Sequence, residues 1–357
     1  MAKFRPWSTG ELDALNSYII EGLSHADIAK HFPYRSPDAV RRRITRTKTS
    51  LLETDAQEEV IKSVIDQLRE VGPINANPVS PLIQATESSR ELEVCIMDPH
   101  FGMQCVTPES DHPWSMELAS DTCIWAIESL LNKALKYASG YSRIVFPFGN
   151  DFLHADNIYH TTTKGTNQPE MVSWHDAYKR GIELAIRMVD LLKTVAPVKI
   201  YQIPGNHSTH SDYTMGLILD AYFHRDDDVE VDCSSSPYKF HRFGCNLIGY
   251  EHGHNVAGQR YAGLMANCRP DDWAETWFRE WHIGDQHRKA SAKPSSFEEQ
   301  GVSIEYLPAL TPPNQWHKTM AYNFQKRGAT AYIWNEEEGQ EARFTVSMNP
   351  YTGAVNG

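Results

Sequence analysis

Five places along the chain put metal-type ligands directly after an apolar stretch. They are Asp98-Pro99-His100, Gly149-Asn150-Asp151-Phe152-Leu153-His154, Gly205-Asn206-His207, Glu251-His252-Gly253-His254 and Gly284-Asp285-Gln286-His287. Carboxylate oxygens, an amide oxygen and imidazole nitrogens together form a donor set for divalent ions such as Mn, Fe or Zn. Taken singly, each place is ordinary, because Asp and Gly-Asn are common turn residues. As an ordered series they point to one site. Several carry Gly beside the ligand, which lets the backbone turn sharply and approach a buried ion. Cysteine chemistry is disfavoured: the six cysteines are scattered, with no CxxC pair for a disulfide framework or a cysteine-built zinc site.

A framework of strands ending at one edge would bring such loops together, since functional residues of α/β sheets gather past the C-terminal strand ends. From about residue 91 the sequence alternates between strand and helix patterns. Glu91–Met97, Arg143–Phe148 and Val198–Ile203 read as strands, and Glu117–Ala138, Met171–Val195 and Asp212–His224 as helices. Val229–Asp232, Tyr238–Phe243, Asn246–Tyr250, Glu280–Ile283 and Ser303–Leu307 read as further strands, with a helix near Asp271–Phe278. Arg327–Trp334 and Ala342–Met348 read as a terminal hairpin around Glu336–Gly339. Trp273, Trp277 and Trp281 sit four apart, the spacing of one helical stripe packed into a core. The expected fold class is α/β: a two-sheet β-sandwich flanked by helices, its second half antiparallel.

The N-terminal residues are of a different kind. Residues 1–50 hold nine Lys/Arg against five Asp/Glu, or +4, so the remainder carries −16 of the net −12. Three short helices are expected there. Ser8-x-x-Glu11 is a capping-box pattern, Ser24-x-x-Asp27 starts a second helix, and Ser36-Pro37-Asp38 starts a third. Arg41, Arg42, Arg43 and Arg46 occupy the outward positions of the third, a basic face suited to phosphate and base edges. Residues 51–90 read as one amphipathic helix and a Pro-rich linker, and residues 91–357 as the main domain. At 357 residues the chain has room for both domains. A mean hydropathy of −0.50 and the lack of a long apolar run argue against a membrane span. The N-terminus lacks the apolar core of a signal peptide, so the expected location is reducing cytoplasm.

In their order, the five motifs resemble the calcineurin-like metallophosphoesterase superfamily, whose pattern is D-x-H, G-D, G-N-H, G-H or H-G-H, and G-H-x-H. The resemblance covers about residues 91–290. Two departures stand out. Gly149-Asn150-Asp151 replaces Gly-Asp; an amide cannot bridge two cations with two anionic oxygens, which assigns Asp151. The last motif places Asp285 where the family usually has His. The resemblance implies two divalent ions, Mn2+ first, with Fe, Zn or Mg as alternatives. Asp98, His100 and His287 would hold one, Asn206, His252 and Asp285 the other, and Asp151 would bridge. It further implies that His207 stabilises phosphoryl charge and acts as general acid for the leaving oxygen. Asp151-Phe152-Leu153-His154 is similar to the Asp-x-x-His of the DNA-repair exonuclease branch, where the His contacts phosphate; the alternative is a His that caps its loop. Family members often have an acid after Asn-His to orient the His. Ser208 stands there in this chain, which leaves Asp212 or Asp156 for the task. His254 either contacts substrate or shapes its turn.

Residues 4–48 resemble the helix-turn-helix of Myb-like and homeodomain-like proteins, on Trp7 and on Gly22-Leu23-Ser24-x-x-Asp27-Ile28-Ala29. The combined expectation is a dinuclear-metal phosphodiester hydrolase acting on nucleic acid, a DNA nuclease brought to its partner by the basic head, as suits a bacterial or bacteriophage protein. One alternative is a phosphatase or nucleotide phosphodiesterase with a regulatory head. Another is a DNA-binding scaffold whose metal site has decayed, with Asp285 as the symptom.

Overall fold

The computed structural model describes residues 7–45, 47, 88–105, 114–285, 296–314, 317, 319 and 327–348. The helix expected over residues 51–71, the Pro-rich stretch after it, Arg46 and His287 lie outside the described residues. The chain divides into two compact units, Met1–Gln67 and Leu68–Gly357.

In the first unit, α1 spans Thr9–Ile20 and α2 His25–Lys30, and residues 37–45 form a third helical stretch, α3. The capping box is formed: Glu11 N–H donates to Ser8 Oγ, and the Glu11 carboxylate accepts from Ser8 N–H at 2.9 Å. Leu15, Ile28, Phe32, Val40 and Ile44 make the buried core. The Arg35 guanidinium grips Glu11 at 2.8 Å and lies 4.7 Å over the Trp7 ring.

The second unit is a layered sandwich. Its elements are β1 (Arg90–Cys95), α4 (Met116–Tyr137), β2 (Arg143–Gly149), α5 (Trp174–Lys193), β3 (Val198–Ile203), α6 (Thr209–Phe223), β4 (Val229–Asp232), β5 (Lys239–Phe243), β6 (Asn246–Glu251), α7 (Tyr261–Cys268), α8 (Pro270–Glu275), β7 (Phe278–Ile283), β8 (Ser296–Glu299), β9 (Val302–Tyr306), β10 (Gly328–Asn335) and β11 (Gly339–Ser347). One sheet runs β11-β10-β1-β2-β3-β4 and the other β5-β6-β7-β9-β8. In the first, β1 to β4 are parallel, so their C-terminal ends share one edge, and the β10–β11 hairpin adds antiparallel to β1. The second sheet departs from the antiparallel expectation. Its centre, β6-β7-β9, is parallel, and only the edge strands β5 and β8 pair antiparallel.

Apolar cores alternate with these layers. Leu92, Val94, Ile144 and Ile200 pack under α4, α5 and α6. Cys95, Tyr201, Tyr250 and Trp334 fill the space between the sheets. Leu247, Trp281, Ile283 and Ile304 pack beneath α7. The tryptophan stripe does not exist: Trp273 lies on α8, Trp277 is 77% exposed between elements, and Trp281 is buried on β7. The chain changes from helix to strand inside that interval, so spacing of four loses its helical meaning.

The space between the sheets also holds charge. Glu91 pairs with His241 at 2.5 Å, and Tyr201 lies 3.0 Å from the other His241 nitrogen. Glu93 pairs with His282 at 2.6 Å and accepts from the Trp334 indole at 2.8 Å. A buried charge survives only when paired in this way. Burial works to lower the His282 pKa, but Glu93 and Glu280 overcome it and raise it to about 10. A histidine raised on folding contributes stability that is complete below about 6.5 and is lost as pH rises through about 10. The thermal midpoint is therefore expected to fall between pH 7 and 10, and to fall less over that window in Glu93→Gln. Parallel midpoint-versus-pH curves for the two proteins would contradict this.

Candidate metal centre

The loops that follow β1, β2, β3, β6 and β7 meet at one edge of the sandwich. Backbone bonds lace the first three together: Asp98 N–H to Asn150 O at 3.2 Å, His100 N–H to Asp151 O at 3.1 Å, and Asn150 N–H to Ile203 O at 2.9 Å. Asp98, His100, Asn150, Asp151 and Asp285 all take positive φ, between 42° and 61°. Left-handed backbone costs a non-glycine residue of order 1 kcal/mol, and such strain concentrates at functional sites. Two glycines make the convergence possible. A Cβ on Gly149, at φ 100°, would lie 2.2 Å from the Ile203 carbonyl oxygen, and one on Gly205 would lie 1.9 Å from Asp151 Oδ1.

The side chains form one contiguous cluster. Asp151 Oδ1 accepts the His207 backbone N–H at 2.7 Å, and Asp151 Oδ2 lies 3.1 Å from His252 Nε2. That same nitrogen is 3.0 Å from Asn206 Oδ1, and His252 Nδ1 is 3.9 Å from Asp98 Oδ1. Asp98 Oδ2 accepts the Asp285 backbone N–H at 3.1 Å. His100 and His154 approach at 3.3 Å between their Nδ1 atoms, and the His100 ring stands 4.6 Å from that of His207. One ligand atom each from Asp98, His100 and Asp151 lie within 4.8 Å of one another, and so do those of His100, His154 and His207. Thus Asp98, His100, Asp151, His154, Asn206, His207, His252 and Asp285 are gathered at one place.

Electrostatics set the character of this cluster. Burial pushes Asp98 up to about 8, with Asp151 and Asp285 adding to the rise and His252 opposing it. Asp151 is buried as well, yet His252 and His207 hold it below the usual carboxylate range. Burial works against a charged His252, but Asp151, Asp98 and Asp285 raise it to about 10. The three crowded carboxylates thus favour a positive charge among them. Among the described residues, both side-chain atoms of Asn150 and the Nδ1 atoms of His252 and His254 are buried without a hydrogen-bond partner. Crowded carboxylates, imidazoles and unpartnered buried donors fit a divalent cation.

His207 is oriented differently from the expectation. Its Nδ1 lies 3.1 Å from the backbone carbonyl of His154. A carbonyl only accepts, so Nδ1 carries the proton and Nε2 is left for chemistry. Neither Asp212 nor Asp156 touches the His207 ring. Asp212 is buried and accepts three backbone N–H groups, from Gly205 at 2.9 Å and from Asp151 and Phe152 at 3.2 Å. It fixes the β2 and β3 loops to each other. Asp156 accepts from the Ser211 backbone N–H and hydroxyl, each at 2.8 Å, at the start of α6. Sequence reasoning left His317 unassigned. It is buried, held by Asn314 Oδ1 at 2.7 Å, and lowered to about 4 by burial and by the charge of His207. The His254 ring lies 5.3 Å from that of His252, tilted by 59°.

Of the four arginines expected to meet DNA, Arg41 and Arg42 are exposed and bind Asp38 at 2.7 and 2.8 Å. Arg43 is half-buried, with its Nε covered.

No family model and no curated protein matches the chain. Among solved structures, a single mutant of Vps29 from Entamoeba histolytica is 13% identical, with a TM-score of 0.28, covering 72% of this chain and 99% of that one. A double mutant of the same protein gives 11% and 0.27, with the same coverage. Vps29 from Chaetomium thermophilum gives 14% and 0.26, covering 72% of this chain and 96% of that one. Superposition at this level assigns no activity, and the chemistry has to come from the residues of this chain.

Proposed function

We propose that the second unit is a divalent-metal-dependent phosphodiester hydrolase of the calcineurin-like metallophosphoesterase type, acting on nucleic acid, and that the first unit binds DNA. One observation carries the reading: loops nearly two hundred residues apart in sequence bring Asp98, Asp151, Asn206, His252 and Asp285 into one cluster, linked pair by pair at 3.0–3.9 Å. Asp98, His100, Asp151, Asn206, His252 and Asp285 would hold two ions, Mn2+ being a good match, with His287 as a further ligand by resemblance. When bound, such ions polarise a phosphoryl oxygen and lower the pKa of water.

The remaining work belongs to the chain itself. His207, anchored through Nδ1–H to the His154 carbonyl, presents Nε2 toward the reacting group; as the imidazolium, with a second proton on Nε2, it gives that proton to the leaving oxygen and returns to the Nδ1–H tautomer. His154 acts first through its backbone, as the group that fixes that tautomer. Its ring, beside His100, would meet a phosphate oxygen in this reading. In the first unit, the exposed pairs of Arg41 and Arg42 with Asp38 are worth little in water, so phosphates can displace Asp38.

Turnover of bis-p-nitrophenyl phosphate with added divalent ions, beside single- and double-stranded DNA, tests the reading. Wild-type protein is expected to cleave the diester and DNA. His207→Ala is expected to retain its metal and lose about 100- to 10,000-fold in turnover. Cleavage of the small diester without DNA cleavage would assign a small-molecule phosphodiesterase. No turnover with any divalent ion would leave a binding protein.

A further inference from the structure

The segment between His154 and α5 is built as two tight turns beside the centre. Asn157 closes the first: His160 N–H donates to its carbonyl at 3.0 Å, and Tyr159 N–H to its side chain at 3.0 Å. Thr162 closes the second, accepting from Gly165 N–H at 2.8 Å. Asp156 and Thr163 pin both turns to the start of α6. Thr163 Oγ1 donates to Asp156 at 2.6 Å and accepts the Thr209 N–H at 3.1 Å, two residues beyond His207. His160 is held by Glu170 at 2.6 Å. The segment is thus tied down over most of its length.

What it displays is unusual for so well-bonded a loop. The tip of the first turn presents Ile158 and Tyr159, 52% and 77% exposed, five residues or fewer beyond His154. The second turn presents the exposed Lys164, one residue beyond Thr163, which accepts the Thr209 N–H. An aromatic ring, an apolar neighbour and an ammonium therefore stand on one well-bonded element tied to the start of α6, two residues beyond His207. An aromatic platform with a cation beside it is how proteins hold single-stranded nucleic acid: a base stacks on the ring and the cation takes a backbone phosphate.

We propose that the turns of residues 157–165 read the substrate, with Tyr159 stacking on a base of a single strand whose phosphodiester lies at His207, and Lys164 binding a neighbouring phosphate. This deepens the phosphodiesterase reading and rests on it. A duplex would not serve, because its bases are already stacked and offer no free face to Tyr159. Tyr159 fixes the strand before reaction, so its effect falls on affinity.

The test is fluorescence anisotropy of a labelled eight-residue oligothymidylate, with Mn2+, in the His207→Ala background to slow cleavage. Tyr159→Ala is expected to weaken binding about tenfold, and Tyr159→Phe to restore it. Lys164→Ala is expected to weaken binding and to reduce the salt slope of log K by about 0.7, one single-strand phosphate contact. Affinity unchanged in Tyr159→Ala, or no binding by the parent, overturns the proposal. Wild-type turnover of bis-p-nitrophenyl phosphate reports separately on the phosphodiesterase reading. Turnover together with unchanged oligonucleotide affinity in Tyr159→Ala would remove this inference alone.

Discussion

Asp151→Asn is expected to lower phosphodiester turnover by about a thousandfold or more, and to lose bound metal with it. The reason is the number of tasks that one carboxylate performs. Its Oδ1 receives the His207 backbone N–H at 2.7 Å, and its Oδ2 faces His252 at 3.1 Å. An Asn keeps an oxygen for the N–H of His207, so the loop can close. It cannot keep the negative charge shared between ligands, and its NH2 turns a donor toward His252. Turnover and metal content measured on the same preparation check the prediction. Full metal content with lost turnover would move Asp151 from ligand to catalytic group.

Asp212→Ala is expected to cost stability, by about 3–5 kcal/mol in a urea unfolding curve. Asp212 is fully buried and takes N–H bonds from Gly205, Asp151 and Phe152. Removing its carboxylate leaves three donors with no acceptor in a place where water cannot replace it, and each such orphan costs about 1–3 kcal/mol. The variant should also lose activity, because the same bonds set the spacing of the β2 and β3 loops. Asp212→Asn keeps one acceptor oxygen and should lie between. A change below about 1 kcal/mol in Asp212→Ala would mean that the loops are held by other bonds.

The ordered motifs made the centre legible because their chemistry is local: each ligand sits within a few residues of an apolar strand, and parallel strands bring such ends to one edge. Asp98, Asp151, Asn206, His207, His252 and Asp285 were found that way and lie together. The supports were harder to read. The sequence offers Asp212 as an acid to orient His207, but its partners are backbone N–H groups, which the sequence does not display. The orienting group for His207 is likewise a backbone carbonyl, that of His154. Between the sheets, Glu91 and Glu93 alternate with Leu92 and Val94, a pattern that does not reveal that the polar face is covered. Their partners, His241 and His282, lie about 150 and 190 residues further on. α7 and β8 escaped notice because they are short, and their environment decides them rather than their own pattern. The tryptophans at 273, 277 and 281 misled through regular spacing across a helix–strand boundary.

The gathered side chains are proposed to bind cations. The direct measurement is metal analysis of the full-length protein after loading with Mn2+ and removal of free ion, beside Asp151→Asn treated in the same way. Two ions per chain in the wild-type protein, and a clear loss in the variant, are the predicted result. A wild-type chain that retains no ion, or a variant that retains as much as the wild type, would contradict it.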